Sequence, residues 1–351
     1  MIHFDPTQLA NMRKSLSGAV LLLAAVIMTL VAGRALCADV FELEPDYVYG
    51  RNRRPHLGYH KPEVFDPLSD QLYQSGYRDF PPTAVPDELK TVDAMTRVRG
   101  MGRIIACADA WFWPYSRTVH NNEPAGLDIE LLQTIAKKHG WEISIAWANT
   151  GTRFGLGPAF TKTIDRGICD IFLGLTITHD DSDEAAHHIA FTKPYLGTGF
   201  VLVTQGPALP AKSLDDIKRM HIKIGVPVYS PMDEYVKANG FEHETFFQNV
   251  RVVEALLRGD INAAMVWSGT ISQAKLEHPE AEFQMAKGFV PIPNMRWNNA
   301  WGVKEKETEL RQFIDEAFTE MLKNGEIKRI VERYGVPFFA PFEETGGAKQ
   351  P

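Results

Sequence analysis

The chain has 351 residues, in which 37 lysines and arginines stand against 44 aspartates and glutamates for a net charge of −7. That balance, with no stripe of basic residues, excludes nucleic acid as a partner and leaves the cluster R-N-R-R (51–54) as a solvated loop or docking segment. The length is enough for two lobes, each with a core of its own.

Residues 1–38 read as a secretion signal. Arg13 and Lys14 precede an apolar run at 18–32, about 15 residues where a membrane span needs about 20. Gly33, Ala35 and Ala38 then offer small residues for cleavage. Cys37 does not sit in a lipoprotein signal, because Arg34 and Leu36 stand where that signal wants leucine and a small residue. The mature chain is therefore expected to be soluble and periplasmic, with no stable membrane insertion.

Residues 39–98 form an irregular arm rich in proline and tyrosine, with no sustained period. Tyr47, Tyr49, Tyr59, Phe65, Tyr73, Tyr77 and Phe80 are many aromatics for a solvated tail. The arm is expected to pack on the protein's own lobe or on a partner. A short helix is expected over 87–99, after Pro86.

From Arg103 strands and helices alternate. Strand 103–108 leads to helix Leu127–Lys138, whose Leu131, Leu132 and Ile135 form one apolar face and which Gly140 ends. Strand 142–147, a glycine-rich loop, a helix near 159–166 and strand 170–175 follow. After strand 200–204, Ser213 caps a helix, strand 223–226 leads to helix 231–239, and 250–258 precedes strand 262–266. Strand 299–303 and helices 307–323 and 325–334 complete the chain. Such alternation implies a largely parallel sheet covered by helices, an α/β fold.

Three motifs in order, G-L-D-I-E-L-L-Q-T-I-A-K-K-H-G-W (126–141), G-I-C-D-I-F-L-G-L-T-I-T (167–178) and F-T-K-P-Y (191–195), resemble the first lobe of periplasmic solute-binding proteins of the amino-acid receptor type. The resemblance implies a two-lobed fold with two hinge crossings. Lobe 1 would comprise 99–203 and 299–341, lobe 2 would comprise 204–298, and 342–351 would be a tail. The ligand would then sit between the lobes at the carboxyl ends of the strands, and closure about the crossings would trap it. The same fold makes the strands carrying Cys107 and Cys169 neighbours. The two cysteines are then either a disulfide closing a loop of about 60 residues, worth roughly 4 kcal/mol, or two buried thiols packed as small apolar side chains.

By the same resemblance the candidate cleft residues are Asp109, Trp111, Trp113 and Tyr115 after the first strand, Arg153 in the glycine-rich loop, Thr176 and Thr178, Ser230 before Pro231, and Trp267. The threonine hydroxyls suit a polar solute. Ser230 reads equally as an anion contact at a helix start and as a plain cap. Amino-acid receptors carry T-P-E-R after the second of these segments, with an arginine for the carboxylate, whereas this chain has T-H-D-D (178–181). Their aspartate for the ammonium group is here Trp267, in G-D-I-N-A-A-M-V-W (259–267). Removing one partner from a buried ion pair costs on the order of 3–5 kcal/mol, and losing both would move a micromolar site towards millimolar. A standard amino acid is thus not the expected ligand unless Arg153 or Lys193 replaces the clamp.

C-A-D (107–109), G-I-C-D (167–170), V-W-S (266–268) and R-Y-G-V-P (333–337) together resemble a subgroup, the J-type accessory proteins of periplasmic quinoprotein methanol and alcohol dehydrogenases. That implies a non-catalytic protein with a dehydrogenase subunit as partner and no cofactor of its own. The rival class is an ordinary transport receptor for a small polar or aromatic solute. Dehydratases on this fold would need a cleft acid, such as Asp109, Asp180 or Asp181, and an arginine for the substrate carboxylate. Asp180, Asp181, Asp183, Glu184, His187 and His188 bring six potential metal ligands together, but without EF-hand spacing. The expectation is an acidic surface loop and no metal.

Overall fold

The computed structural model describes residues 79–80, 85–118, 123–150, 156–178, 182–343 and 345. The expected signal, most of the expected arm, and Arg153, Asp180 and Asp181 lie outside them. Among the described residues the chain begins with β1 (Asp79–Phe80). Where one helix was expected over 87–99, there is a single 3-10 turn, Asp87–Leu89, and then α1 (Ala94–Met101). Asp93 interrupts the expected helix: it adopts an extended backbone and its carboxylate accepts the Thr96 amide, which makes it the N-cap of α1.

The first sheet is built from β2 (Arg103–Asp109), β6 (Glu142–Ala148) and β7 (Ile171–Ile177), all parallel, with β3 (Trp111–Phe112), β4 (Ser116–Thr118) and β5 (Pro124–Ala125) forming a separate small antiparallel sheet after β2. Helix α2 (Leu127–Lys138) has the predicted bounds, and Gly140 follows it at φ 69°. Helix α3 (Gly157–Lys162) is followed by a 3-10 turn, and α4 (Ser182–Ala186) precedes β8 (Ile189–Phe191). Alternation along β2 fills both faces: Ile104, Ala106 and Ala108 enter one apolar cluster, while Ile105 and Cys107 enter another. A strand buried on both sides is what a parallel sheet with two helical layers requires.

The second sheet holds β10 (Ile224–Pro227) parallel to both β11 (His243–Phe246) and β12 (Ala263–Trp267). Its helices are α5 (Leu214–Arg219), α6 (Pro231–Ala238), α7 (Asn249–Arg258) and α8 (Ser268–Glu277). Ser213 and Asp216 form a reciprocal capping box on α5. Two long strands link the sheets, β9 (Leu196–Thr204) and β14 (Arg296–Lys304); β13 (Gln284–Met285) pairs with β9. The first half of β9 pairs with β14, and its second half pairs with β12. Leu196 accordingly packs in the first lobe's core and Phe200 to Val203 in the second's. On β14, Trp301 and Val303 return to the first core, which α9 (Thr308–Lys323) and α10 (Glu326–Arg333) cover.

Cys107 and Cys169 are joined in a disulfide, with their Cα atoms 5.6 Å apart and a sequence separation of 62. Beside it Asp170 is buried: its Oδ1 accepts Arg97 Nε at 2.7 Å and its Oδ2 accepts the Ile105 amide at 2.9 Å. The G-I-C-D segment therefore fastens α1 and β2 to β7.

Candidate ligand cleft

Strand β2 ends at Asp109, whose carboxylate is buried and engaged. Oδ1 accepts the Trp111 amide at 2.7 Å, and Oδ2 accepts the Thr150 amide at 2.9 Å together with the Thr150 hydroxyl. The residue read as a polar cleft contact thus clips the end of β2 to the end of β6. The aromatic wall follows on β3 and β4. Trp111, Phe112 and Trp113 are half-buried, Phe112 stacks on Tyr115 at 4.6 Å, and the edge of Trp113 meets Tyr334 at 5.5 Å. Arg117, which sequence reasoning passed over, lays its guanidinium 4.1 Å above the Trp113 ring.

Tyr115 turns inward. It is 1% exposed, and burial pushes its hydroxyl up to about 12. That hydroxyl lies 3.3 Å from Thr198 Oγ1 on β9, which lies 2.9 Å from Ser268 Oγ at the start of α8. A chain of hydroxyls therefore runs from the first lobe through the hinge strand into the second. Asn299 and the Trp267 indole lie against the same Tyr115 hydroxyl. Thr176 Oγ1 donates to Asn299 Oδ1 at 3.2 Å, and Thr178, the next candidate along the chain, is half-buried beyond the end of β7.

On the second lobe the candidates divide. Ser230 is fully buried; its hydroxyl donates to the Pro227 carbonyl at 2.6 Å and accepts the Asp233 amide at 3.2 Å, so it is used as a cap. Trp267 is 4% exposed and packs against Trp297 at 5.5 Å and edge-on to Phe200 at 5.9 Å. Its amide donates to Asn249 Oδ1 at 3.1 Å. Next to Ser230, Tyr229 holds a left-handed backbone at φ 59°, unfavourable for a bulky residue, with its side chain 62% exposed. Phe247, after β11, is 57% exposed. Both stand at carboxyl ends of the parallel strands, and neither was a sequence candidate. Lys193 is not at the cleft: its amide donates to Asp315 Oδ1 and its ammonium to Thr319 Oγ1, both on α9.

The structure thus brings together Tyr115, Thr176 and Trp267 through Thr198, Asn299 and Ser268, and leaves Asp109 and Ser230 in backbone-holding roles. The acid–histidine segment also holds the fold. Asp183 Oδ2 accepts the Leu156 amide at 2.6 Å, His187 Nδ1 lies 2.5 Å from Asp165 Oδ2, and Lys304 bonds Asp165 Oδ1 at 2.9 Å. Among the described residues no group of three or more histidines, cysteines or acids is placed to hold a metal ion.

Behind the wall lies Asp128 of the G-L-D segment, fully buried. Tyr195 donates to its Oδ1 at 2.5 Å and Trp301 Nε1 at 3.1 Å, while Oδ2 has no partner among the described residues. Burial raises its carboxyl from 3.8 to about 7 despite the two donors. Between those two values the folded chain holds this proton and the unfolded chain does not. Stability is therefore lost as pH rises through that window, and the loss is complete above it. Asp128→Asn keeps the acceptor for Tyr195 and Trp301 and removes the ionisation. The melting temperature of the native chain relative to this variant is expected to fall by several degrees between pH 4 and pH 8, and parallel curves would contradict the assignment.

The fold and the sequence have known counterparts. The chain is 22% identical over 246 residues to the L-cystine-binding protein TcyJ of Escherichia coli (strain K12), covering 68% of this chain and 85% of that one. It superposes on the unliganded, open L-cystine solute receptor of Neisseria gonorrhoeae with a TM-score of 0.56 at 16% identity, covering 69% of this chain and 97% of that one. An ancestral cyclohexadienyl dehydratase gives 0.53 at 15% identity, covering 70% and 97%. Residues 104–337 match the bacterial extracellular solute-binding proteins, family 3, and the chain belongs to that family.

Proposed function

We propose that the chain is a solute receptor of an uptake system, acting outside the cytoplasmic membrane, for a small polar or aromatic solute that is not a standard α-amino acid. One observation carries this reading. Trp267, at the position where the amino-acid receptors carry their aspartate, is packed among Phe200, Trp297 and the Tyr115 hydroxyl. The groups around it are hydroxyls, an amide and an indole, which suit a neutral or aromatic solute rather than an ammonium group. The disulfide supports a location in an oxidising compartment. The relatives, being mostly binding proteins, support binding without chemistry.

The test is calorimetric titration with the twenty amino acids and cystine, alongside neutral aromatic and polyhydroxy solutes. With Asp181 in place of the T-P-E-R arginine and Trp267 in place of the second-lobe aspartate, no amino acid is expected to bind more tightly than about 1 mM. Micromolar binding of any of them would overturn the proposal.

A second reading, an accessory of a quinoprotein dehydrogenase, is favoured by where the subgroup-like segments lie. Ser268 of V-W-S joins the hydroxyl chain to the hinge, and Tyr334 of R-Y-G-V-P accepts the Ser272 hydroxyl from α8. Both segments tie the lobes to each other, which suits a rigid docking partner. Co-purification with a dehydrogenase subunit would support it, and recovery free of any protein partner would oppose it.

A further inference from the structure

The family match ends at residue 337, yet the chain continues across the hinge in an ordered segment, P-F-F-A-P-F (337–342). Its successive aromatics go to different lobes: Phe338 packs on the first lobe's core and Phe339 on the second's. The Gly197 amide, at the start of β9, donates to the Phe339 carbonyl at 2.9 Å, forming an isolated antiparallel bridge. On β14 the Asn298 side chain grips the Phe342 backbone from both sides. Its Nδ2 donates to the Phe342 carbonyl at 2.8 Å, and its Oδ1 accepts the Phe342 amide at 2.8 Å. Arg296 lies 4.6 Å above the Phe342 ring, and Phe339 and Phe342 are 5.9 Å apart. The fit over the hinge is close. A Cβ at residue 197 would come 2.6 Å from Phe342 Cε2 and 2.8 Å from the Ala340 carbonyl oxygen, so only glycine lies beneath this segment.

We propose that residues 338–342 are a strap that fixes the angle between the two lobes. Lobe rotation in a two-lobed receptor is absorbed by small backbone changes in the crossing strands. Here both crossing strands carry a third segment, bonded to each at the level where they pair with one another: Gly197 and Asn298 are cross-strand partners. Rotation about β9 and β14 would shear the Asn298 clamp and pull Phe338 and Phe339 from two different cores. The lobes therefore move only when the strap is released. This inference does not depend on which solute or partner the cleft serves.

Nitroxide labels on Gln133→Cys in the first lobe and Lys237→Cys in the second, in a Cys37→Ser background, report the angle by pulsed dipolar spectroscopy without any ligand. The full chain is expected to give one narrow distance distribution. Phe339→Ala with Phe342→Ala, or a chain ending at Phe338, is expected to give a distribution about twofold broader or a second population. Distributions that are the same with and without the strap would overturn the proposal. Hydrogen exchange in the unaltered chain decides it even if those variants fail to fold. The Gly197 amide is expected to be as protected as the core amides of β9, and exchange at the rate of an exposed amide would contradict the strap.

Discussion

Replacing Cys107 and Cys169 together by alanine is expected to lower the stability of the chain by about 4 kcal/mol, because the disulfide closes a long loop in the unfolded chain. The loop spans 62 residues and contains α2, β6 and α3. Both half-cystines are buried, at 0% and 3% exposure, so the variant also loses the packing of two sulfur atoms, a cost that adds to the loop-closure effect. Denaturant unfolding measures it directly. The midpoint should fall and the slope should rise as the unfolded chain expands. A loss below about 1 kcal/mol would mean that the unfolded chain is already constrained in this region.

Trp267→Ala is expected to cost about 3–5 kcal/mol, the usual penalty for truncating a buried tryptophan. The indole is a packing element that joins Phe200 and Trp297 at the level of the hinge. A side chain that served only as an exposed ligand contact would cost no more than about 0.5 kcal/mol on removal. The same unfolding measurement separates the two roles. A near-neutral substitution would put Trp267 in the cleft as a contact and weaken the argument from its packing.

Periodicity made much of the fold legible. Leu131, Leu132 and Ile135 marked α2 to its bounds, and the alternation of strands and helices marked both lobes. It could not reveal β3, β4 and β5, because strands of two or three residues contain no full period. Helix α8 escaped for a different reason. It lies between the lobes and turns Gly269 and Ser272, not an apolar stripe, towards the first lobe. The helix expected over 87–99 failed at Asp93, where a local cap outcompeted helix continuation.

The candidate site was legible in its missing charges and much less so in its contacts. The absence of T-P-E-R and the tryptophan at 267 were plain in the chain. That Asp109 would be claimed by Thr150, 41 residues later, depends on the ends of β2 and β6 lying side by side. Residue type alone could not foresee it. Tyr229 and Phe247 were missed because exposure at strand ends is set by the loops. The one signal for Tyr229 was its place in G-V-P-V-Y-S-P (225–231), immediately before a capped helix.

The most direct test of the account is native mass spectrometry of the protein recovered gently from the cells that make it. A small adduct is expected, lost on denaturation, whose mass matches neither an amino acid nor cystine. An adduct with the mass of an amino acid or of cystine would contradict it, as would an empty chain recovered bound to another protein subunit.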